Sequence, residues 1–147
     1  IVVNLEATPG NVYLVYPERG LLTHSNHFLA LEARVQGVGI DYSADTLYRH
    51  YRARALLESK IGHITIEDIQ AVLRDHAGFP KAICRHPDER EPEVNRTSSV
   101  ASLVIDLTEG VMYIASGPPC SAEYQRVTVP GTYEPTTAGT APVAVGG

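Results

Sequence analysis

Strand-like patterns lie at both ends of the chain, and two helical patterns lie between them. This order lacks the strict alternation of strand and helix that builds a parallel sheet. It therefore predicts an α+β fold with a mainly antiparallel sheet that is covered by the helix pair. The length of 147 residues corresponds to about one domain.

The first 25 residues read as an antiparallel meander. In the first strand, apolar and polar residues alternate, which places Val3, Leu5 and Ala7 on the face expected to meet the core. Turns rich in Pro and Gly separate the strands. The strands are predicted over residues 1–7, 12–16 and 21–23.

The two helices are predicted from helical spacing and from their start signals. Ser43 is a candidate cap for the first helix, and the second begins at a capping box that runs from Thr65 to Asp68. The residues expected on the core face of the first helix are Leu47, Tyr48, Tyr51 and Ala55. Beyond the helices, a hairpin is predicted over residues 99–107 and 111–116, with a last strand over 124–129.

A polar cluster, Thr23-His24-Ser25-Asn26-His27, follows the predicted third strand. Strand ends often carry chemistry, and an Asn between two His is costly to bury for structure alone. The amide of Asn26 could hold the oxyanion of a tetrahedral intermediate, although turn stabilisation is the simpler interpretation from residue chemistry alone. The spacing of His24 and His27 lacks a third ligand, so we predict no metal there, and a structural role for at least one of them.

The cysteines and arginines give weaker evidence of function than the polar cluster does. Two cysteines, Cys84 and Cys120, are too few for a disulfide framework, and we expect Cys84 to be buried rather than paired with His86 as a nucleophile. Arg96 precedes an apolar strand, where it could hold a carboxylate bidentately, and Arg85 is the second candidate.

Charge and hydropathy exclude several function classes. The formal charge of −5 disfavours a nucleic-acid partner. No apolar run approaches the roughly 20 residues needed to span a bilayer, and no signal peptide is evident. We therefore expect a cytoplasmic protein with no membrane or nucleic-acid partner, and we predict neither a cofactor nor a metal.

Taken in order, several motifs resemble the autoproteolytic acyltransferase family that includes isopenicillin N acyltransferase, a branch of the N-terminal-nucleophile (Ntn) hydrolases. The resemblance covers residues 4–124 and implies the carboxyl-terminal part of such a domain over residues 1–129, followed by a flexible tail over 130–147. The motifs are Leu5-Glu6-Ala7, Thr23-His24-Ser25-Asn26-His27, Asp75-His76, Phe79-Pro80-Lys81-Ala82-Ile83-Cys84-Arg85 and the strand from Ser99 to Asp106.

The resemblance implies an αββα sandwich and a reaction at an amide bond through an acyl-enzyme thioester. Asn26 matches the asparagine that stabilises the oxyanion, Arg96 matches an arginine near the substrate, and Arg85, His24 and His27 are further substrate-binding candidates. The substrate would be a small amide or acyl compound, with a coenzyme A thioester among the choices.

The family's nucleophile is a cysteine that begins its own chain and whose amino group serves as base. Because this chain begins with Ile1, we expect that a Cys-led upstream segment or chain is required and that this polypeptide is inactive alone. Two alternatives stay open: a non-catalytic interaction domain of the same fold, and an unrelated hydrolase that uses Cys84.

Overall fold

A computed structural model of the chain describes residues 2–30 and 43–128. The part described is α+β with two α-helices, as predicted, but its antiparallel strands form two sheets instead of one. The predicted tail over 130–147 lies outside the described residues. The elements are β1 (Asn4–Ala7), β2 (Val12–Val15), α1 (Asp45–Glu58), α2 (Ile66–Leu73), a 3₁₀ turn (Glu93–Asn95), β3 (Ala101–Asp106), β4 (Val111–Ser116) and β5 (Gln125–Thr128).

The amino-terminal meander has two strands rather than three. β1 and β2 pair antiparallel, with Leu5 opposite Leu14 and Glu6 opposite Tyr13. The predicted third strand, 21–23, is wrong: Leu21 makes an isolated bridge to Glu18 across a tight turn, and the chain then leaves extended pairing.

The inward face of β1 is the opposite of the predicted one. Glu6 is only 4% exposed, whereas Leu5 is 62% exposed and Val3 and Ala7 are also exposed. The cause is local, since the segment that packs on this face presents backbone N–H groups to the Glu6 carboxylate. A buried carboxylate is tolerated where it accepts such hydrogen bonds.

α1 starts differently from the prediction. Ala44 is its N-cap and makes no side-chain cap, while Ser43 donates to the carboxylate of Asp45 instead. The buried residues of α1 are Thr46 and Leu57. Most of the expected core face is wrong, because Tyr48, Tyr51 and Ala55 are exposed and only Leu47 is half-buried.

The capping box of α2 is confirmed. Thr65 accepts from the backbone N–H of Asp68, and the Asp68 carboxylate accepts from the backbone N–H of Thr65. α2 buries Val72 against α1 and the turn before the polar cluster. This core consists of Leu21, Leu57 and Val72, with Ala53, Leu56, Ile61, Ile64 and Ile83 packed around it.

The second sheet has the order β3-β4-β5, all antiparallel, and it confirms the predicted hairpin and last strand. One face, with Ser102 and Val104 of β3, is buried. The other carries Leu103 and Ile105, which are 52% and 59% exposed. Both sheets therefore have one apolar face that the described residues leave uncovered. No helix in the described ranges has the length and apolarity required to cross a membrane.

Candidate functional site

The segment 23–30 is fixed to β1 by a single buried carboxylate. Oε1 of Glu6 accepts from the backbone N–H of Leu29 at 2.7 Å and from Nε2 of His24 at 2.8 Å. Oε2 accepts from the backbone N–H of Ala30 at 2.9 Å. These three bonds hold the chain on both sides of Asn26, at His24 before it and at Leu29 and Ala30 after it.

The hydrogen bonds decide the charge state of Glu6. Burial by itself would raise the pKa of Glu6, but the backbone bonds from Leu29 and Ala30 and the bond from His24 outweigh burial and lower it. Glu6 is therefore ionised at neutral pH and acts as the anionic anchor of the segment.

Thr46 of α1 fixes the middle of the same segment. Its hydroxyl accepts from the backbone N–H of Asn26 at 2.7 Å and lies 2.9 Å from Nδ1 of His27. Thr46 and His27 are both buried. The backbone of Asn26 is thus pinned to α1 while its side chain remains at the surface.

The carboxamide of Asn26 is oriented by an arginine. Arg49 donates from Nη2 to Oδ1 of Asn26 at 2.7 Å, and its Nε donates to Asp45 at 2.9 Å. Because the oxygen is occupied, the Nδ2 donors point away from Arg49, and the described part of the chain gives Nδ2 no partner. An amide held in this way presents N–H donors at the surface.

Asp45 links this arrangement to a second arginine. Arg85 donates to Oδ2 of Asp45, the oxygen that also accepts from Arg49. Arg85 also donates to the hydroxyl of Thr97 at 3.1 Å. Burial would raise the pKa of Asp45, but the hydrogen bonds from Ser43 and Arg49 and the charge of Arg85 outweigh burial and lower it. An ionised Asp45 binds both arginines, and the network Asn26–Arg49–Asp45–Arg85 keeps a net charge of +1.

The predicted substrate-binding residues occupy different places. His24 and His27 lie beside Asn26, but both are engaged within the fold, by Glu6 and Thr46. Arg96 donates to the backbone carbonyls of Glu89 and Glu91 and is exposed. Within the described ranges, Arg85 and not Arg96 joins the network of Asn26. Substrate binding by these residues stays a prediction.

A second cluster was not predicted from the sequence. One possible ligand atom from each of His76, Cys84, His86 and Cys120 lies within 4.8 Å of the others. Nε2 of His86 is 3.0 Å from Nε2 of His76, 3.6 Å from Sγ of Cys84 and 3.5 Å from Sγ of Cys120. Neither cysteine is in a disulfide. In chemical type these four side chains can hold a transition metal.

Only a weak sequence signal marks this cluster, because the spacing of its four residues is irregular. Structural zinc sites usually bring two ligands from one tight turn, as in two cysteines separated by two to four residues. Here 33 residues separate His86 from Cys120. The pair Cys84 and His86 is the only local hint, and its partners come from the end of α2 and from the β4–β5 connection.

The environment of Cys84 matches the predicted buried thiol. Cys84 is fully buried, and burial raises the pKa of its thiol above the ordinary value, with Cys120 beside it. A raised pKa lowers the thiolate fraction at neutral pH, which disfavours a role as a free nucleophile.

Comparisons of this chain with models of protein families and with curated proteins gave no match.

Proposed function

We propose that this chain is the carboxyl-terminal part of an autoproteolytic cysteine acyltransferase or amidohydrolase of the Ntn type, with the αββα sandwich of that class. The proposal begins from the motif resemblance. The observation that carries it further is the carboxamide of Asn26, which is held by its oxygen and presents its N–H donors outward.

This geometry suits stabilisation of an oxyanion. A donor for a developing negative charge must be fixed before the reaction, because reorganisation during the reaction costs free energy. Asn26 is fixed twice: its backbone N–H binds Thr46 and its Oδ1 accepts from Arg49. The positive guanidinium on Oδ1 also polarises the amide, which strengthens Nδ2 as a donor.

The reaction we propose needs a nucleophile from a Cys-led segment. The cysteine thiol would lose its proton to the α-amino group of the same residue, and the sulfur would attack the carbonyl carbon of the amide. The carbonyl electrons move to oxygen, where Asn26 donates a hydrogen bond. When the intermediate collapses, the C–N bond breaks and the amine leaves with the proton from the ammonium group. The thioester that remains passes its acyl group to water or to another acceptor.

The exposed apolar faces of the two sheets support the proposal that a Cys-led segment packs on them. On the β1–β2 hairpin, Leu5, Val12 and Leu14 share one face and are each more than half exposed. On the other sheet, Leu103 and Ile105 are similarly exposed. In a sandwich, strands and helices of the Cys-led segment would cover these faces, since contiguous apolar area on a domain usually marks an interface.

The substrate would bind near the network of Asn26. We propose Arg96 as the arginine that orients a substrate carboxylate, with Arg85 as the alternative, and His24 and His27 as residues that shape the pocket. Arg85 is connected to Asn26 through Asp45 and Arg49. Arg96 would need to give up its backbone carbonyl partners to bind a substrate.

Two other functions compete with this proposal. An interaction domain of the same fold would use the same exposed apolar faces, with Asn26 in a purely structural role. A hydrolase that uses Cys84 is disfavoured by the burial and raised pKa of that thiol.

Intact-mass measurement and amino-terminal sequencing of the natural protein test the proposal. We expect a segment that begins with Cys to copurify with this chain, and an amide or acyl substrate to label that cysteine as a thioester. Labelling of Cys84 instead would support the unrelated hydrolase. A natural protein without any Cys-led segment would leave the interaction domain as the better explanation.

A further inference from the structure

The second cluster brings three separate segments of the chain to one point. His76 follows the end of α2, Cys84 and His86 lie in the segment before β3, and Cys120 lies in the turn after β4. His86 is central, because its Nε2 is within 3.6 Å of an atom from each of the other residues. The cluster is separate from the network of Asn26.

Hydrogen bonding does not account for this convergence. A neutral imidazole nitrogen carries either one proton or one lone pair, directed along the ring plane. Nε2 of His86 can therefore make one well-directed hydrogen bond, yet it has three close neighbours. Two of the three contacts therefore lack a well-directed hydrogen bond from this nitrogen.

The three distances at His86 are close to the edges of a tetrahedron around a zinc ion. With a Zn–S length of about 2.3 Å and a Zn–N length of about 2.05 Å, tetrahedral angles place sulfur and nitrogen ligands about 3.55 Å apart. The two S···N distances at His86 are 3.6 and 3.5 Å. The same geometry separates two nitrogen ligands by about 3.3 Å, compared with 3.0 Å between His76 and His86. The other three ligand pairs lie within 4.8 Å, so side-chain movements of about 1 Å or less would bring them to tetrahedral spacing.

We propose that His76, Cys84, His86 and Cys120 form a tetrahedral Zn²⁺ site with two thiolate and two imidazole ligands. Zn²⁺ would replace the two thiol protons, which leave to solvent, and the two thiolates would neutralise its charge. Four protein ligands leave no position for a water or a substrate, so the site would be structural. It would tie the end of α2 to the segment before β3 and to the β4–β5 connection.

The backbone around the cluster is already fixed. The N–H of Cys84 donates to the carbonyl of Asp75 at 3.0 Å, and the N–H of His86 donates to the carbonyl of Pro80 at 3.0 Å. The turn that carries Cys120 is held by Arg74, which donates from Nε to the carbonyl of Pro119 at 2.9 Å. Ligands positioned in this way lose little conformational entropy when a metal binds, which favours tight binding.

Metal analysis of the native protein, purified without a histidine tag, gives the first test. We expect one equivalent of Zn²⁺ per chain, and we expect Co²⁺ to replace it with the absorption of a tetrahedral site and a thiolate-to-cobalt charge-transfer band from two sulfurs. A protein that stays free of Zn²⁺ at stoichiometric concentration, or a Co²⁺ spectrum without thiolate bands, would overturn the proposal.

Variants then assign the ligands. Cys120→Ser should halve the charge-transfer band, and His76→Gln should lower the Zn²⁺ affinity by more than about 100-fold, because loss of a ligand exceeds the 10–100-fold effect of an outer partner. Both residues are exposed, so both variants should fold, which circular dichroism can verify. His63→Gln is the matched control, since His63 is exposed and outside the cluster, and it should bind like the wild type.

The main competing arrangement is a Cys84–Cys120 disulfide. If mass spectrometry of the natural protein finds this disulfide, and reduction does not create stoichiometric Zn²⁺ binding, the cluster is a redox pair and the metal proposal is wrong. Equal Zn²⁺ affinity of the wild type and His76→Gln would also reject the four-ligand site.

Discussion

Substitution of Glu6 by Gln tests the anchor that positions Asn26. The wild-type carboxylate accepts hydrogen bonds on both oxygens, from Leu29 and His24 on one and from Ala30 on the other. Gln is nearly isosteric but has one acceptor oxygen. If that oxygen keeps the bonds from Leu29 and His24, the new amide group places a donor against the N–H of Ala30.

The expected loss is one hydrogen bond to a charged acceptor, with the half-buried N–H of Ala30 left unpaired. Such a loss costs about 1.5–3 kcal/mol of the free energy of unfolding. For a domain of this size, each kcal/mol corresponds to roughly 4 °C in the melting temperature, so we expect a decrease of about 6–12 °C. Urea unfolding and calorimetry measure the two quantities independently.

Glu18→Gln is the matched control. It makes the same chemical change at a side chain that is 71% exposed and paired with Arg54 at the surface. A pair of this kind contributes about 0–1 kcal/mol. A loss in Glu6→Gln no larger than in Glu18→Gln would refute the claim that Glu6 anchors the segment.

The pH dependence provides a second readout for Glu6. Because the pKa of Glu6 is lowered by folding, its ionised form contributes stability that is fully present above the ordinary pKa of 4.5 and is lost as the pH falls through the lower folded pKa. The gap in stability between wild type and Glu6→Gln should therefore narrow in this acidic range. A gap that stays constant down to the acid transition would contradict an ionised anchor.

The remaining predictions concern the proposed reaction and α2. In the complete enzyme, Asn26→Ala should lower kcat by roughly 100-fold or more with little change in KM. The control Asn95→Ala, at an exposed turn, should leave kcat unchanged. If Asn26→Ala has the kcat of the wild type, Asn26 has no part in the mechanism. Arg96→Lys should weaken substrate use beyond any loss of stability, because an ammonium lacks the bidentate fork, whereas a raised KM only in Arg85→Lys would transfer that role to Arg85. Thr65→Ala should cost about 1 kcal/mol in urea unfolding through loss of the capping box, and no measurable loss would mean the cap is dispensable.

Local signals in the sequence predicted the elements that local interactions determine. The capping box from Thr65 to Asp68 needs only residues within one helical turn, and it forms as predicted. The hairpin of β3 and β4 likewise follows from alternation around a short turn. The α+β class follows from the order of these elements and is confirmed.

The orientation of β1 could not be predicted in the same way. Alternation identifies two faces of a strand but not which face is covered, and apolar residues normally decide. Here the segment that packs on one face of β1 has backbone N–H groups that donate to Glu6. That face is therefore the covered one, and Leu5 faces outward. The information was nonlocal, since the backbone N–H groups that bind Glu6 are 23 and 24 residues away from it.

The segment from Cys84 to His86 connects the two candidate sites and also allows them to be tested separately. Cys84 and His86 contact each other and Cys120, whereas Arg85 between them contacts Asp45 and Thr97. Cys84 and His86 thus face the cysteine–histidine cluster, while the side chain of Arg85 faces the network of Asn26. Arg85→Lys therefore perturbs the network of Asn26 while it leaves the four proposed zinc ligands in place. If Arg85→Lys changes kinetics but not Zn²⁺ content, and Cys120→Ser does the reverse, the acyl-transfer proposal and the zinc proposal are independent.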